Sequence, residues 1–379
     1  MLGSIGGASY ATCGTATSPT RSPTSSSQAA YPGSVADNCV MELDLHGDEM
    51  HPQQPGIDIH TPHSVHYPQF LPDMTEQTDY DTITWPVQLT SKVHRSLYSF
   101  LEPTNPTLSA VGKTILITGV SGGIGRAIAE AWTIAGAKGI VITGRKMEVL
   151  REVAQKMENI AQGKTKIVVT ATDVTSEDDI ERLWAKAKQE LGRIDVLINN
   201  AGSLTQAMIG ENEPSKWWQD FEVNVKGVYL NVHHFLAQAP EPHGTIITIS
   251  TGSLCDTYPN FSSYTPSKLA QTRFMEFLHA EQSQIRTFSV FPGLVATNML
   301  PKKYWNFALD DPMLTGGLTL FLSTPRAEWM RGGMVSVNWD YEEMEEHKEE
   351  ILDKGLIKLA FCNAEFGKGG HPWATQKSG

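Results

Sequence analysis

A tyrosine and a lysine four residues apart, as in Tyr264-Thr265-Pro266-Ser267-Lys268, share one face of a helix and form a pair able to move a proton. A phenol with an ordinary pKa of about 10 is a poor acid–base group at neutral pH. A neighbouring ammonium favours the phenolate and brings it toward the working range. Far upstream stands Thr118-Gly119-Val120-Ser121-Gly122-Gly123-Ile124-Gly125. There Gly119, Gly123 and Gly125 lack the side chains that would keep the backbone from turning tightly and approaching a pyrophosphate. A proton-transfer pair and a dinucleotide cradle on one chain point to hydride transfer, with a nicotinamide giving the hydride and the protein the proton.

These groups must be carried to one place, and the hydropathy pattern supplies the carrier. Apolar runs at 114–118, 139–143, 166–171, 194–199, 245–250 and 285–291 alternate with helical patterns at 123–135, 147–161, 177–190, 225–238 and 263–281. Strands trading places with helices of this length imply right-handed crossovers and a sheet covered on both faces. The expected fold is therefore α/β: a doubly wound Rossmann-type parallel sheet over 112–345, with a last strand at 333–337. Ligands gather at the C-terminal ends of such strands. The glycine turn, Asp173-Val174 and Asn199-Asn200-Ala201-Gly202 follow the first, third and fourth apolar runs.

The charge is unevenly spread. The chain holds 30 basic and 42 acidic residues for a net charge of −12, and Arg21 is its one basic side chain before Lys92, against ten acids between Asp37 and Asp81. Ser, Thr and Pro dominate 15–27, and the following stretch stays rich in Pro and His without periodicity. Residues 1–81 are thus expected to be a disordered acidic extension. Its His46, His51, His60, His63 and His66 are irregularly spaced and fit no ligand geometry, so no metal site is expected. An arm over 82–111, bearing Trp85, Leu97, Tyr98, Phe100 and Leu101, should pack on the domain, and a C-terminal helix and tail should occupy 346–379. No basic stripe suggests nucleic acid, and no apolar stretch approaches the roughly 20 residues of a membrane span. Cys13, Cys39, Cys255 and Cys362 show no paired spacing and suit a reducing compartment. The start of the chain lacks a secretory pattern, which favours a cytoplasmic protein, with a mitochondrial transit segment as the alternative.

The second strand decides the cofactor. A dinucleotide fold usually ends that strand with an acid for the ribose hydroxyls, but here stands Thr143-Gly144-Arg145. Gly144 removes the carboxylate that would repel a ribose phosphate, and Arg145 offers a planar cation to hold one. NADP(H) is therefore expected over NAD(H), the alternative being that Arg145 is a solvated residue at a helix start. Asp173 has an alternative too, as a turn or capping residue, since Thr175, Ser176 and Glu177 suit a helix start beside it.

The ordered series of TGxxxGxG turn, NNAG after the fourth strand, YxxxK on a later helix, and Pro292-Gly293 followed by Thr297 resembles the compact branch of the short-chain dehydrogenase/reductase family. The likeness spans roughly residues 113–340, and the arm and C-terminal part resemble those of fungal members. It implies phosphate held near Ser121, Ile124 and Gly125, adenine flanked by Asp173 and Val174, and the nucleotide lying along Asn200, Ala201 and Gly202. It likewise implies nicotinamide contacts from Pro292, Gly293, Val295 and Thr297, ribose binding by Lys268, and a relay water held by Asn224. Relatives commonly associate through the helices bearing Asn224 and Tyr264, so a homo-oligomer is expected.

One departure concerns the substrate oxygen. The family places a serine thirteen residues before the tyrosine, and that position is Thr251, with Ser253 and Ser250 as alternatives. A threonine hydroxyl donates the same hydrogen bond, while its methyl narrows the pocket. Residues 298–322, with Met299, Tyr304, Trp305 and Phe307, should form a substrate lid, and these side chains either suggest a small apolar or aromatic metabolite or simply pack the lid onto the domain. The leading reading is an oxidoreductase of specialised metabolism. The alternatives are a catalytically impaired NADP(H)-binding regulator or scaffold, and a dehydratase or isomerase on the same framework.

Overall fold

The computed structural model describes residues 85–360. The acidic extension, its five histidines and the tail from residue 361 lie outside them. Seven strands form one parallel sheet: β1 (Thr114–Thr118), β2 (Gly139–Gly144), β3 (Lys166–Ala171), β4 (Val196–Asn199), β5 (Gly244–Ile249), β6 (Ile285–Phe291) and β7 (Gly333–Ser336). Their order is β3-β2-β1-β4-β5-β6-β7. Ile117 lies between Ile142 of β2 and Ile198 of β4 in register. Continuous apolar strands such as Thr-Ile-Leu-Ile-Thr, buried along their whole length, are what a sheet covered on both faces demands.

One face is covered by α1 (Gly123–Ile134), α2 (Met147–Ala161) and α7 (Pro312–Leu322), the other by α3 (Glu177–Leu191), α5 (Gly227–Leu236) and α6 (Tyr264–Glu281). The first core gathers Ile128, Trp132, Leu150, Leu318 and Phe321 around the sheet. The second gathers Ile180, Trp184, Val232, Phe235, Met275 and Leu278. Because strand order reverses between β1 and β4, their C-terminal ends open a crevice, the usual ligand position in such a sheet.

Two expectations need correction. The helix expected at 225–238 begins earlier, as α4 (Pro214–Phe221), and runs through a π-helical turn (Glu222–Lys226) into α5. The stretch expected as a lid divides: the 3-10 turn Lys302–Phe307 lies in an irregular loop, but α7 is a core helix whose residues 314–322 are all buried. Its small residues seat it closely, for a Cβ on Gly316 would stand 2.6 Å from Cβ of Ala131 in α1. Apolar content alone does not separate a lid from a core helix.

The arm packs on this domain through Phe100, Leu101, Leu108 and Ala110, all buried. His94 stacks on Tyr98 with ring centroids 3.6 Å apart, and Val93 bridges antiparallel to Trp339. After β7, Asp340 caps α8 (Tyr341–Glu346) by accepting from the backbone N–H groups of Glu342 and Glu343, and α9 (Lys348–Asp353) follows.

Candidate active site

At the β1 end the site is built from backbone and small residues. Gly119 has φ +73°, and a Cβ there would fall 2.7 Å from Cα of Ala201, so both conformation and space require glycine. Thr118 Oγ1 accepts from the backbone N–H groups of Asn200 (3.1 Å) and Ala201 (3.0 Å). The Asn200 amide donates to the carbonyls of Thr118 (2.9 Å) and Gly119 (3.0 Å). Asn200 thus clasps the ends of β4 and β1 together, and its two amide protons are spent on that clasp. A Cβ on Gly125 would stand 2.5 Å from both the Gly119 carbonyl oxygen and the Asn200 amide nitrogen. α1 starts from Gly122 with no side-chain cap, and nothing lies within 4 Å of where a Gly122 Cβ would be. An uncapped start with open space beside Gly122, at the positive end of a twelve-residue helix, suits a dinucleotide phosphate.

The flanking positions divide into open and occupied. Arg145 and Lys146 are exposed just past β2, and a Cβ on Gly144 would crowd Ser121 Oγ at 2.6 Å, so Gly144 brings the β2 end against the glycine turn. Ile124 is half-buried against the first core. Asp173 Oδ1 accepts from the Thr175 backbone N–H (2.9 Å) and hydroxyl (2.8 Å), the turn arrangement noted as its alternative, while Ser176 caps α3. Val174 is buried against the second core, where a Cβ on Gly227 would stand 3.0 Å from it. After β6, Gly293 has φ +72°, and the Leu294 N–H donates to Asp310 Oδ2 at 2.6 Å. Val295 bridges to Leu309. Thr297 reaches back over α1, its Cγ2 2.6 Å from where a Gly123 Cβ would be.

Asp310 is a residue that the spacing of motifs did not reveal. Its side chain is fully buried, and it also accepts from Arg95 of the arm (2.8 Å) and from Asn338 Nδ2 (2.9 Å). Burial raises its pKa, with the Leu294 N–H and the Arg95 charge pulling the other way.

The proton-transfer end is built from buried polar side chains. Tyr264 opens α6 and is buried, with the Thr251 side chain acting on its phenol. Lys268, one turn on, is buried and donates from Nζ to the Ile249 carbonyl at 2.7 Å. Burial pushes the Tyr264 phenol up to about 12, partly offset by the Thr251 side chain, and pulls the Lys268 ammonium down to about 7. Desolvation, the largest cause for each, penalises the charged form of both groups, so in the protein by itself the phenol lies above its ordinary value rather than nearer neutrality.

Asn224 sits inside the π turn and is fully buried. Its Oδ1 accepts from the Ser203 N–H (3.0 Å), and its Nδ2 donates to the Ser203 carbonyl (3.0 Å) and Ser267 Oγ (2.9 Å). A π turn shifts the helix phase by one residue, a feature common at functional sites. A Cβ on Gly202 would meet Asn224 Oδ1 at 3.3 Å, Met299 Cε at 3.5 Å and Lys268 Nζ at 3.6 Å. Those groups therefore face one small space, with Met299 entering from the loop after β6.

Among the three candidate hydroxyls, Thr251 is the one whose side chain acts on the phenol. Ser253 lies behind it, between Thr251 (3.2 Å) and Thr265 (3.2 Å). Ser250 is buried and paired with Thr272 at 2.8 Å, away from Tyr264. Motif reading also missed Asp220, a wholly buried acid in α4 near Tyr264 and Lys268. Its position four residues before Asn224 is the only trace of it in the sequence.

The short chain dehydrogenase family profile matches residues 113–306. The chain is 33% identical to the short chain dehydrogenase andI of Emericella variicolor over 257 residues, 65% of this chain and 89% of that protein. It is 30% identical to the short chain dehydrogenase mpl6 of Monascus purpureus, over 71% of this chain and 95% of that one. Among solved structures, a short-chain type dehydrogenase/reductase from Mycobacterium marinum is 27% identical with a TM-score of 0.56, over 61% of this chain and 95% of that one.

Proposed function

This chain belongs to the short-chain dehydrogenase family, and on that premise we propose that it is an NADP(H)-dependent oxidoreductase acting on a carbonyl or secondary alcohol of a small, apolar or aromatic metabolite in specialised metabolism. The observation that carries this reading is the convergence of Lys268 Nζ, Asn224 Oδ1 and Met299 on the space beside Gly202, with buried Tyr264 one helical turn before Lys268. The nicotinamide, when bound, supplies or accepts the hydride. Tyr264 Oη gives the substrate oxygen its proton in reduction and takes it back in oxidation, and Thr251 Oγ1 holds that oxygen. Lys268 holds the ribose hydroxyls, and its charge stabilises the phenolate left behind. Asn224 fixes Ser203 and Ser267, and thereby the floor between Gly202 and α6.

The uncapped start of α1, the clasped Gly119 and Gly125, and Thr297 over Gly123 support a dinucleotide lying with its phosphates on the turn. Exposed Arg145 and Lys146, with no acid at Gly144, support NADP(H) over NAD(H). Val174 supports the adenine as an apolar wall, and Met299 the substrate. Widely spaced cysteines support a cytoplasmic setting. Exposed Trp218, Tyr229 and Phe277 on α4, α5 and α6 support association with a second copy, which sedimentation would read as a dimer or tetramer.

The purified enzyme incubated with NADPH and a metabolite extract should consume a carbonyl compound in step with NADPH oxidation. Tight NADPH binding with no compound consumed would favour the regulator, and product formed without net NADPH loss would favour the dehydratase or isomerase.

A further inference from the structure

Asp220 is an acid that the reading above does not use, and its surroundings are unusual. It is the last residue but one of α4, two residues before the π turn that carries Asn224. Its Oδ1 accepts from Ser203 Oγ (2.7 Å) and Thr205 Oγ1 (3.2 Å), and its Oδ2 from the Thr205 N–H (3.0 Å) and Ser263 Oγ (2.6 Å). All four partners are donors, matching an acceptor-only carboxylate. Each belongs to a segment that carries a site group. Ser203 follows Gly202, and its backbone N–H and carbonyl are already gripped by Asn224. Ser263 stands at the N-cap of α6, immediately before Tyr264. A serine there ordinarily turns its oxygen onto the first helical N–H groups, yet Ser263 makes no such cap and gives its hydroxyl to Asp220 instead.

Resting on the proton-transfer reading of Tyr264 and Lys268, we propose that Asp220 is the positioning residue of that pair. Its carboxylate clamps the 203–205 loop and the start of α6 onto the helix bearing Asn224. Asp220 is the charged residue that acts on both groups, raising the phenol and the ammonium alike. A negative charge beside Tyr264 keeps it protonated before substrate arrives, and the same charge holds Lys268 toward its ammonium form against the cost of burial. The acid therefore favours a site that rests loaded with its proton.

The test needs no substrate, so its failure is distinct from failure of the oxidoreductase reading, which would show as a parent protein without turnover. The full chain is prepared with tyrosine carrying carbon-13 at Cζ, and the Tyr264→Phe spectrum identifies the residue 264 signal. At a pH of about 10.5, Asp220→Asn should show a several-fold higher tyrosinate fraction at residue 264 than the parent, equivalent to a midpoint about one unit lower. Asp220→Glu, which restores the charge, should return the fraction toward the parent value. Equal fractions in parent and Asp220→Asn, or an equal rise in Asp220→Glu, would overturn the electrostatic role. Ser263→Ala, the milder change should Asp220→Asn fail to fold, cuts one tether and keeps the charge. It should raise amide exchange across residues 263–268 several-fold, and unchanged exchange there would overturn the clamp.

Discussion

The two halves of the candidate site are made of opposite materials. At the β1–α1 turn, function depends on what is missing: Gly119, Gly123 and Gly125 leave room that Ala201, Thr297 and Asn200 press into, and the helix start is left without a side-chain cap. Around Tyr264, function depends on what is buried: a phenol, an ammonium, an amide and a carboxylate, all withdrawn from water. A cradle of backbone has no titratable group and should respond to shape. A cluster of buried polar groups should respond to charge and pH.

The largest expected effect breaks the charge half alone. Tyr264→Phe should lower NADPH-dependent carbonyl reduction by about 10²–10⁴-fold while NADPH binding, followed by fluorescence titration, stays within about twofold of the parent. Loss of binding together with turnover would mean that the two halves are not separable.

Next comes the shape half. Gly125→Ala drives a methyl to 2.5 Å from the Gly119 carbonyl and the Asn200 amide, and overpacking of this kind costs about 1–3 kcal/mol. Urea unfolding should show that loss, and NADPH affinity should fall with it. A variant of unchanged stability and affinity would mean that the turn is not pressed against β4 as described.

Arg145→Ala sharpens the cofactor half further. It should weaken NADPH about tenfold, the loss of one charge-assisted contact, and leave NADH nearly unaffected. Equal weakening of both would assign Arg145 to the fold rather than to a ribose phosphate.

The smallest effect concerns pH. The Lys268 pKa is lowered to about 7 in the folded protein from an ordinary 10.5, so between those values the unfolded chain binds a proton that the folded one does not, and folding stability rises with pH. Relative to the parent, Lys268→Met should therefore look more stabilising near pH 7 than near pH 10, by more than about 1 kcal/mol. A pH-independent difference in urea unfolding would mean that Lys268 remains charged in the fold. The Tyr264 phenol, raised to about 12, contributes with the opposite sign only above a pH of about 10.

Legibility in the sequence followed the same divide. Glycines at a strand-to-helix turn, and a tyrosine and lysine at helical spacing, are local patterns, and the structure sets each where its element requires. The parallel sheet was equally legible, because strands buried on both faces read as apolar runs. The π turn was not, since Glu222-Val223-Asn224-Val225-Lys226 differs little from ordinary helix in composition. The far bound of the expected lid was not legible, because Leu314, Leu318 and Phe321 look the same whether they cover a ligand or fill a core. Asp220 and Asp310 are single acids whose importance comes from donors supplied by distant segments: Ser203 and Ser263 for one, Arg95 and Asn338 for the other.

By itself, then, the order of residues determined which chemistry is on offer and in what kind of scaffold, because side-chain type, spacing and periodicity are properties of neighbours along the chain. Only the tertiary structure decided how those groups ionise, which of three hydroxyls meets the phenol, and which acids hold the assembly. Burial, and hydrogen bonds between residues remote in sequence, come into being when the chain closes on itself.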